Sequence, residues 1–481
     1  VAEGASLPRL DDSALAAHRD GAGKAGALGW PGYARAAHGI GIVHLGFGAF
    51  HRAHQGACTD AALAASGGHW RILGASLRST AAAEAARAQD GLYTLLERDG
   101  TGTRTRVIGS VAGVVAATTH AGKLARQLAD SATRVVSLTV TEKAYAARGE
   151  GSACDWLVDG LARRHAAGIA PYTVLCCDNL EANGGTVRRA VLERAQERDL
   201  ALARWIETEV AFPSTMVDRI VPASTCATLA DARAATGLDD ALAVESEPFF
   251  DWVIEDRFPT GRPAWEAGGA TFVEDVRPWE AAKLAMLNGA HSLIAYAGTL
   301  AGHATVADAV ADPALRTLAR RHMLAAANVL PAGGPEPVAY AEALLARFDN
   351  PALRHRTAQI ATDGTEKVPK RWLGVAEATV ATGRDVRLFE FALALWARWC
   401  QGHDDAGAVH ALEDPRADAL RGALAGGGNG RERIDALVAA LGWSDAPFVG
   451  RPEVRARTGT LLDALHATGV RDCLDREAGR S

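Results

Sequence analysis

The sequence predicts an α/β domain built on a largely parallel sheet, followed by a mostly α-helical C-terminal domain. Short apolar runs of strand length alternate with Ala-rich helical stretches through the first half, as in a parallel sheet covered on both faces. The character changes near Asp275, and from Pro278 onward nearly every segment reads as helix. At 481 residues the chain exceeds one ordinary core, so two domains are expected, 1–277 and 278–481.

Taken in order, residues 1–38 form a polar, partly helical lead-in. Residues 41–45 are a short apolar run ending at Gly46, the pattern of a buried strand. Residues 50–65 favour helix. Residues 70–76, 106–111, 134–141 and 172–177 are further strands, the third of these rich in β-branched side chains. In the second half, loops are expected at 331–337 and 425–430. No repeat of solenoid period occurs.

Composition narrows the function. A net charge of −6 gives no basic field, so nucleic acid is not an expected partner. No stretch approaches ~20 uninterrupted apolar residues, so no membrane span is expected. The N-terminal residues lack the basic start and apolar core of a signal peptide. Seven scattered cysteines form no CxxC pair, which argues against a disulfide framework or a zinc site. A reduced, cytoplasmic protein is expected, and a monomer is favoured.

Gly46, Phe47, Gly48, Ala49 and Phe50 follow a strand and open a helix. Gly46 suits the tight turn, Gly48 lets the backbone approach a pyrophosphate, and the helix N-terminus offers N–H groups to it. His51 stands where a third glycine belongs, so the dinucleotide-binding motif is incomplete, and an ordinary strand–helix turn would look alike. The end of the next strand, residues 74–80, has no carboxylate to grip an adenosine ribose. Arg78 and Ser79 would suit a 2′-phosphate and favour NADP; alternatively Arg78 is solvated or stacks on adenine. Glu142 and Lys143 follow a strand, where ligands bind in such sheets. Asp218 and Arg219 either frame a nicotinamide or pair with each other.

Lys283, Asn288 and His291 lie on one helical stretch. At about 100° per residue, Asn288 is ~140° from Lys283 and His291 falls between them at ~80°. Oxidising a secondary alcohol requires a base for the hydroxyl proton, and a partly desolvated lysine can serve. An amide and an imidazole beside it can hold the oxygen. A surface lysine, a capping asparagine and a core histidine would show the same spacing. His44, His51, His54 and Cys58 also cluster, but the glycine turn explains their location better than a metal does, and no metal is expected.

Residues 42–55 (IVHLGFGAFHRAHQ) and the K-x4-N-x2-H pattern of Lys283, Asn288 and His291 resemble the long-chain mannitol dehydrogenase family of polyol dehydrogenases and uronate reductases. The stretches SLTVTEKAY, CDNLEANG, FPSTMVDRIVP and DGTEKVPKR agree in order, so the resemblance covers about residues 40–400. It implies a Rossmann-like dinucleotide-binding domain, a helical C-terminal domain and an active site between them. It implies NAD as cofactor, Lys283 as general base, and Asn179 and Asn288 as the amides that hold the oxyanion. His291 matches a histidine that orients substrate hydroxyls, and Lys367 a substrate-contacting lysine.

One departure bears on substrate. Polyol-oxidising members tend to carry an arginine eight residues before Lys367, where this chain has Gln359. The NPALRHRT…Q form resembles the fructuronate-reducing branch, and so does the stretch at 251–266. A sugar acid needs a cationic partner, and Arg354, Arg356, Lys367, Lys370 or Arg371 could provide it. Fructuronate–mannonate interconversion is therefore expected, with a mannitol- or arabinitol-type 2-dehydrogenase as the alternative. A cofactor binder without catalysis would not need the lysine set.

Overall fold

The computed structural model describes residues 7–20, 28–146, 151–426 and 428–480. The chain divides into two compact units, Val1–Val276 and Arg277–Ser481.

The first unit is built on five parallel strands: β1 (Ile40–Leu45), β2 (Arg71–Ser76), β3 (Val111–Ala116), β4 (Val135–Leu138) and β5 (Thr173–Cys176). Their spatial order is β3-β2-β1-β4-β5. The order reverses beside β1, so the carboxyl ends of β1 and β4 flank the point where such sheets bind ligands. Successive side chains point to opposite faces. Val43 and Leu45 join one core with Leu157 and Leu161, while Ile42 joins another with Trp252 and Trp265. Burial on both faces explains why these strands read as unbroken apolar runs.

Several expectations need correction. The run at 106–111 is not one strand: it joins the end of Gly102–Ile108 to the start of β3, with Gly109 and Ser110 between. The run at 134–141 is strand only over β4. Its last three residues are loop, where Thr141 adopts φ 75°. The hairpin partner Tyr93–Asp99 was not legible, nor were Thr215–Asp218, Val244–Ser246, Asp251–Glu255 and Thr271–Val273. In the lead-in, Asp12–Asp20 is helix, while residues 1–6 and 21–27 lie outside the described residues.

Charges concealed Tyr93–Asp99. Glu97 is buried yet ionised, because it faces Arg106 at 3.2 Å and Arg219 at 2.5 Å. These guanidinium groups hold its carboxyl below the ordinary value against the opposing effect of burial. Arg219 does not pair with Asp218 in this arrangement. It also donates to the Glu247 carbonyl at 3.0 and 2.8 Å and to the Ala53 carbonyl at 2.5 Å, tying three segments of the first unit together.

The second unit is helical. Its centre is Gly289–Leu300, almost wholly buried, packed against Pro313–Ala327 and Arg387–Trp399. The loop at 331–337 ends where Glu336 caps Pro337–Phe348, accepting from Val338 N at 3.1 Å and Ala339 N at 2.6 Å. Asn429 and Glu432 form a capping box that starts Gly430–Leu441; Gly427, within the expected glycine-rich loop, lies outside the described residues. Among the described residues no helix is long and apolar enough to cross a membrane. Three helices among the described residues contain π-turns, at Arg52–Gly56, Lys283–Asn288 and Pro369–Leu373.

Arg219→Leu should leave Glu97 buried without its nearest cation. The expected loss is about 3–5 kcal/mol of unfolding free energy, read from urea denaturation. The double variant Arg219→Leu/Glu97→Leu is expected to lose less, because the charge then left without its partner, Arg106, is only half-buried and reaches solvent.

Candidate active site

The glycine turn is fixed by close approach. Gly46 adopts φ +100°, and a Cβ there would lie 2.1 Å from the Thr139 carbonyl oxygen. Gly46 N donates to Ala75 O at 2.9 Å, and the Thr139 hydroxyl donates to Gly46 O at 2.9 Å. The turn is thus held by β2 on one side and the end of β4 on the other. Gly48 differs: its φ of −117° suits any residue, and a Cβ would meet only Gly46 O, at 3.7 Å. The protein leaves that space clear, and no side chain caps the helix that Gly48 starts. Open space beside helix N–H groups fits a pyrophosphate. Ala49 and Phe50 begin that helix. Phe47 turns inward, 6% exposed, and packs on Gly74, where a Cβ would come within 2.7 Å of the ring. Only its backbone is available to a ligand.

Beneath the turn lie buried imidazoles. His44 and His51 stack at 3.5 Å, and His44 hydrogen-bonds Ser137 Oγ at 2.8 Å and Thr139 Oγ1 at 2.9 Å. Ser137 Oγ in turn hydrogen-bonds the Gln55 side-chain amide at 2.7 Å. His54 packs among Phe50, Phe250 and Trp252. Burial pushes His44 down to about 3, and burial with the neighbouring cationic groups holds His51 well below its ordinary value. The rings of His44 and His51 therefore support the loop as neutral packing groups. Among the described residues no cluster of three or more His, Cys, Asp or Glu is placed to hold a metal.

Other candidates in the first unit ring the carboxyl ends of the strands. Arg78 is exposed beyond β2, in a turn where Ser76 Oγ donates to Ser79 O at 2.5 Å. Glu142 and Lys143 are exposed at the start of the helix Glu142–Ala146. Asp218, half-buried, ends its strand. Asn179 is exposed just past β5. Its neighbour Asp178 accepts from Val140 N at 3.1 Å, from Thr141 N at 2.9 Å and from the Tyr145 hydroxyl, joining the loops after β4 and β5. Asn183 braces the same corner by donating to Thr215 O at 2.8 Å and accepting from Thr215 N at 2.9 Å. Sequence reasoning missed both residues. The signal was the dense Asp/Asn run directly after a strand.

In the second unit, Lys283–Asn288 is a π-turn rather than α-helix. A π-turn closes on the fifth residue, so Asn288 lies nearer to the face of Lys283 than an α-helical spacing of ~140° implies. Lys283 and Asn288 are half-buried. His291, on the following helix, packs on Phe348 at 4.5 Å and meets His355 edge-on at 5.7 Å. Burial, then Arg347, His355 and Arg371, hold its pKa well below the ordinary value, so it is neutral.

The basic residues divide. Arg371 Nη1 donates to Asn288 O at 3.2 Å and to Ser292 Oγ at 2.7 Å. Lys367 Nζ donates to Ile360 O and Thr362 Oγ1, both at 3.2 Å, and lies 3.7 Å from Asp363. Burial and then Arg371 lower its pKa. Arg354, Arg356, Gln359 and Lys370 are exposed. The expected bend at Asp363–Gly364 is present: Asp363 has φ 55°, and a Cβ on Gly364 would lie 2.3 Å from Trp396 Nε1.

The buried imidazoles predict acid sensitivity. Below about pH 6.5 the unfolded chain takes up protons that the folded histidines refuse. Stability should therefore fall as pH drops from ~6.5 toward 3, by up to ~1.4 kcal/mol per unit for each such histidine. Urea denaturation of wild type and His44→Gln at pH 7, 6, 5 and 4 checks this. The variant is expected to show a shallower decline.

The chemistry available is an open glycine turn at a helix N-terminus in one unit, and a lysine, an amide and a neutral imidazole on one helix in the other. The mannitol dehydrogenase Rossmann-domain model matches residues 40–267, and the mannitol dehydrogenase C-terminal-domain model matches residues 275–448. The uncharacterized oxidoreductase YeiQ of Escherichia coli (strain K12) is 41% identical over 82% of this chain and 86% of its own. D-mannonate oxidoreductase of the same organism is 39% identical over 90% of this chain and 94% of its own. The structure of Pseudomonas fluorescens mannitol 2-dehydrogenase, a ternary complex with NAD and D-mannitol, is 33% identical with a TM-score of 0.75, covering 98% of this chain and 100% of that one. The chain belongs to the mannitol dehydrogenase family, oxidoreductases that act on CH–OH groups with nicotinamide cofactors.

Proposed function

We propose that the chain transfers hydride between NAD and a sugar acid, interconverting D-fructuronate plus NADH and a proton with D-mannonate plus NAD. The observation that carries this reading is the near end-to-end similarity to D-mannonate oxidoreductase. Gln359 in place of a polyol-type arginine supports it, as do the exposed Arg354, Arg356 and Lys370 in the same region of the sequence. These side chains, with Lys367, are the candidates for a substrate carboxylate. The seven unpaired cysteines suit a reducing cytoplasm.

When bound, the nicotinamide cofactor supplies the hydride acceptor. The turn from Gly46 to Phe50 would receive its pyrophosphate on backbone N–H groups, with Arg78, Glu142 and Asp218 as further contacts. In the oxidative direction Lys283 takes the hydroxyl proton, and in the reductive direction it returns that proton to the carbonyl oxygen. The side-chain amides of Asn288 and Asn179 donate to the oxygen as negative charge gathers there. His291, being neutral, orients a neighbouring hydroxyl without competing as an acid.

Lys283→Ala is expected to lower kcat by roughly 10²-fold or more while leaving the NAD Kd nearly unchanged, measured by steady-state kinetics and cofactor titration. Near wild-type kcat would remove Lys283 from the reaction. The substrate assignment is tested by comparing kcat/KM for mannonate, mannitol and arabinitol, each with NAD and with NADP. Mannonate with NAD is expected to be fastest. Faster mannitol or arabinitol oxidation would establish the second reading, a polyol 2-dehydrogenase, which the structural match to mannitol 2-dehydrogenase favours. Faster turnover with NADP would give Arg78 a 2′-phosphate to bind.

A further inference from the structure

We infer that Arg371 is a positioning residue that sets the lysine-bearing helix, and not the partner of a substrate carboxylate. The inference rests on the proposed roles of Lys283 and Asn288. Two π-turns of the second unit pack on each other, Lys283–Asn288 and Pro369–Leu373. From the second, adjacent side chains reach adjacent carbonyls beside the first. Arg371 Nη1 donates to Asn288 O at 3.2 Å, and Trp372 Nε1 donates to Gly289 O at 3.0 Å. The same Arg371 nitrogen donates to Ser292 Oγ at 2.7 Å, one turn further along. The donors therefore grip the helix on both sides of His291.

The grip falls where regular helical geometry is weakest. A π-turn is a local departure from the i→i−4 ladder, and such departures persist only where surroundings hold them. Trp372 is 1% exposed, so its anchor is fixed in the core. Gly289 has no side chain because a Cβ there would lie 2.5 Å from His322, and buried His322 closes that side of the helix. Arg371 then determines where the Asn288 backbone sits, and with it the direction of the Asn288 amide. Both bonds leave from Nη1, so that end of the guanidinium is committed to the helix, and the kinetic comparison below decides whether Nε and Nη2 also serve a carboxylate.

The test uses the full chain with Arg371→Ala, Arg371→Lys and Ser292→Ala. The first readout needs no substrate: hydrogen exchange of the amides at 283–293. Arg371→Ala is expected to speed exchange there selectively, and unchanged exchange would overturn the grip. The second readout is kcat and KM for mannonate and mannitol. Arg371→Ala should lower kcat about tenfold or more on both substrates, with KM changed about twofold or less, and should shift the pH profile of kcat. Arg371→Lys should recover part of kcat, since one ammonium can serve both acceptors. Ser292→Ala should be milder, and the two losses should not add. A rise in KM confined to mannonate with kcat preserved would make Arg371 a carboxylate partner and overturn the inference. A uniform loss that Arg371→Lys does not recover would make Arg371 merely structural. Full activity in Lys283→Ala would defeat the proposed chemistry, while the exchange result would still stand on its own.

Discussion

Gly46 approaches Thr139 so closely that no side chain fits between them, and much of the first unit follows from that contact. It requires a glycine at a positive φ, and it makes β4 the neighbour of β1 at their carboxyl ends. The glycine turn is therefore a property of three strands. Ala75 on β2 receives the Gly46 N–H, and Thr139 past β4 supplies the opposing wall and a hydroxyl to the Gly46 carbonyl. The neutral imidazole of His44 meets that same hydroxyl from below. Gly48, by contrast, meets no such wall, and its lack of a side chain matters only to what binds outside.

The second unit solves a comparable problem with helices. Lys283 and Asn288, proposed for its chemistry, sit on a π-turn, where the ordinary ladder is interrupted, and a second π-turn carries the donors that brace it. Asp178 does similar work in the first unit by joining the loops that carry Glu142 and Asn179. In both units the side chains proposed for chemistry are flanked by residues whose hydrogen bonds go to backbone.

What could be read in the sequence was local. The strand–glycine–helix order at Gly46 and the clustered Lys283, Asn288 and His291 are visible within a dozen residues, because each depends on short-range spacing. The buried parallel strands were visible as apolar runs for the same reason. Tyr93–Asp99 was hidden because its charges are satisfied from far along the chain, by Arg219. The π-turns were hidden because nothing in the residue pattern distinguishes an i→i−5 from an i→i−4 closure. In the sequence Arg371 is one of five candidate partners for a substrate carboxylate, and only the fold shows its Nη1 pointing at Asn288 and Ser292. Arg219, which the sequence leaves as either a nicotinamide contact or a partner of Asp218, is a buried tie to Glu97 and to the Glu247 and Ala53 carbonyls.

The distance along the chain between Gly46 and Thr139 also has a temporal meaning. The two are 93 residues apart, so the turn's outer wall does not exist until that much more chain has been made and folded. Contacts of such separation form late and slowly. During synthesis, the glycine-rich stretch emerges first but stays conformationally undefined until β4 docks. A dinucleotide held by this turn would then bind only a first domain in which β4 has docked. Such a ligand would stabilise the finished domain against reopening in proportion to its concentration, and give no such support to a nascent or truncated chain.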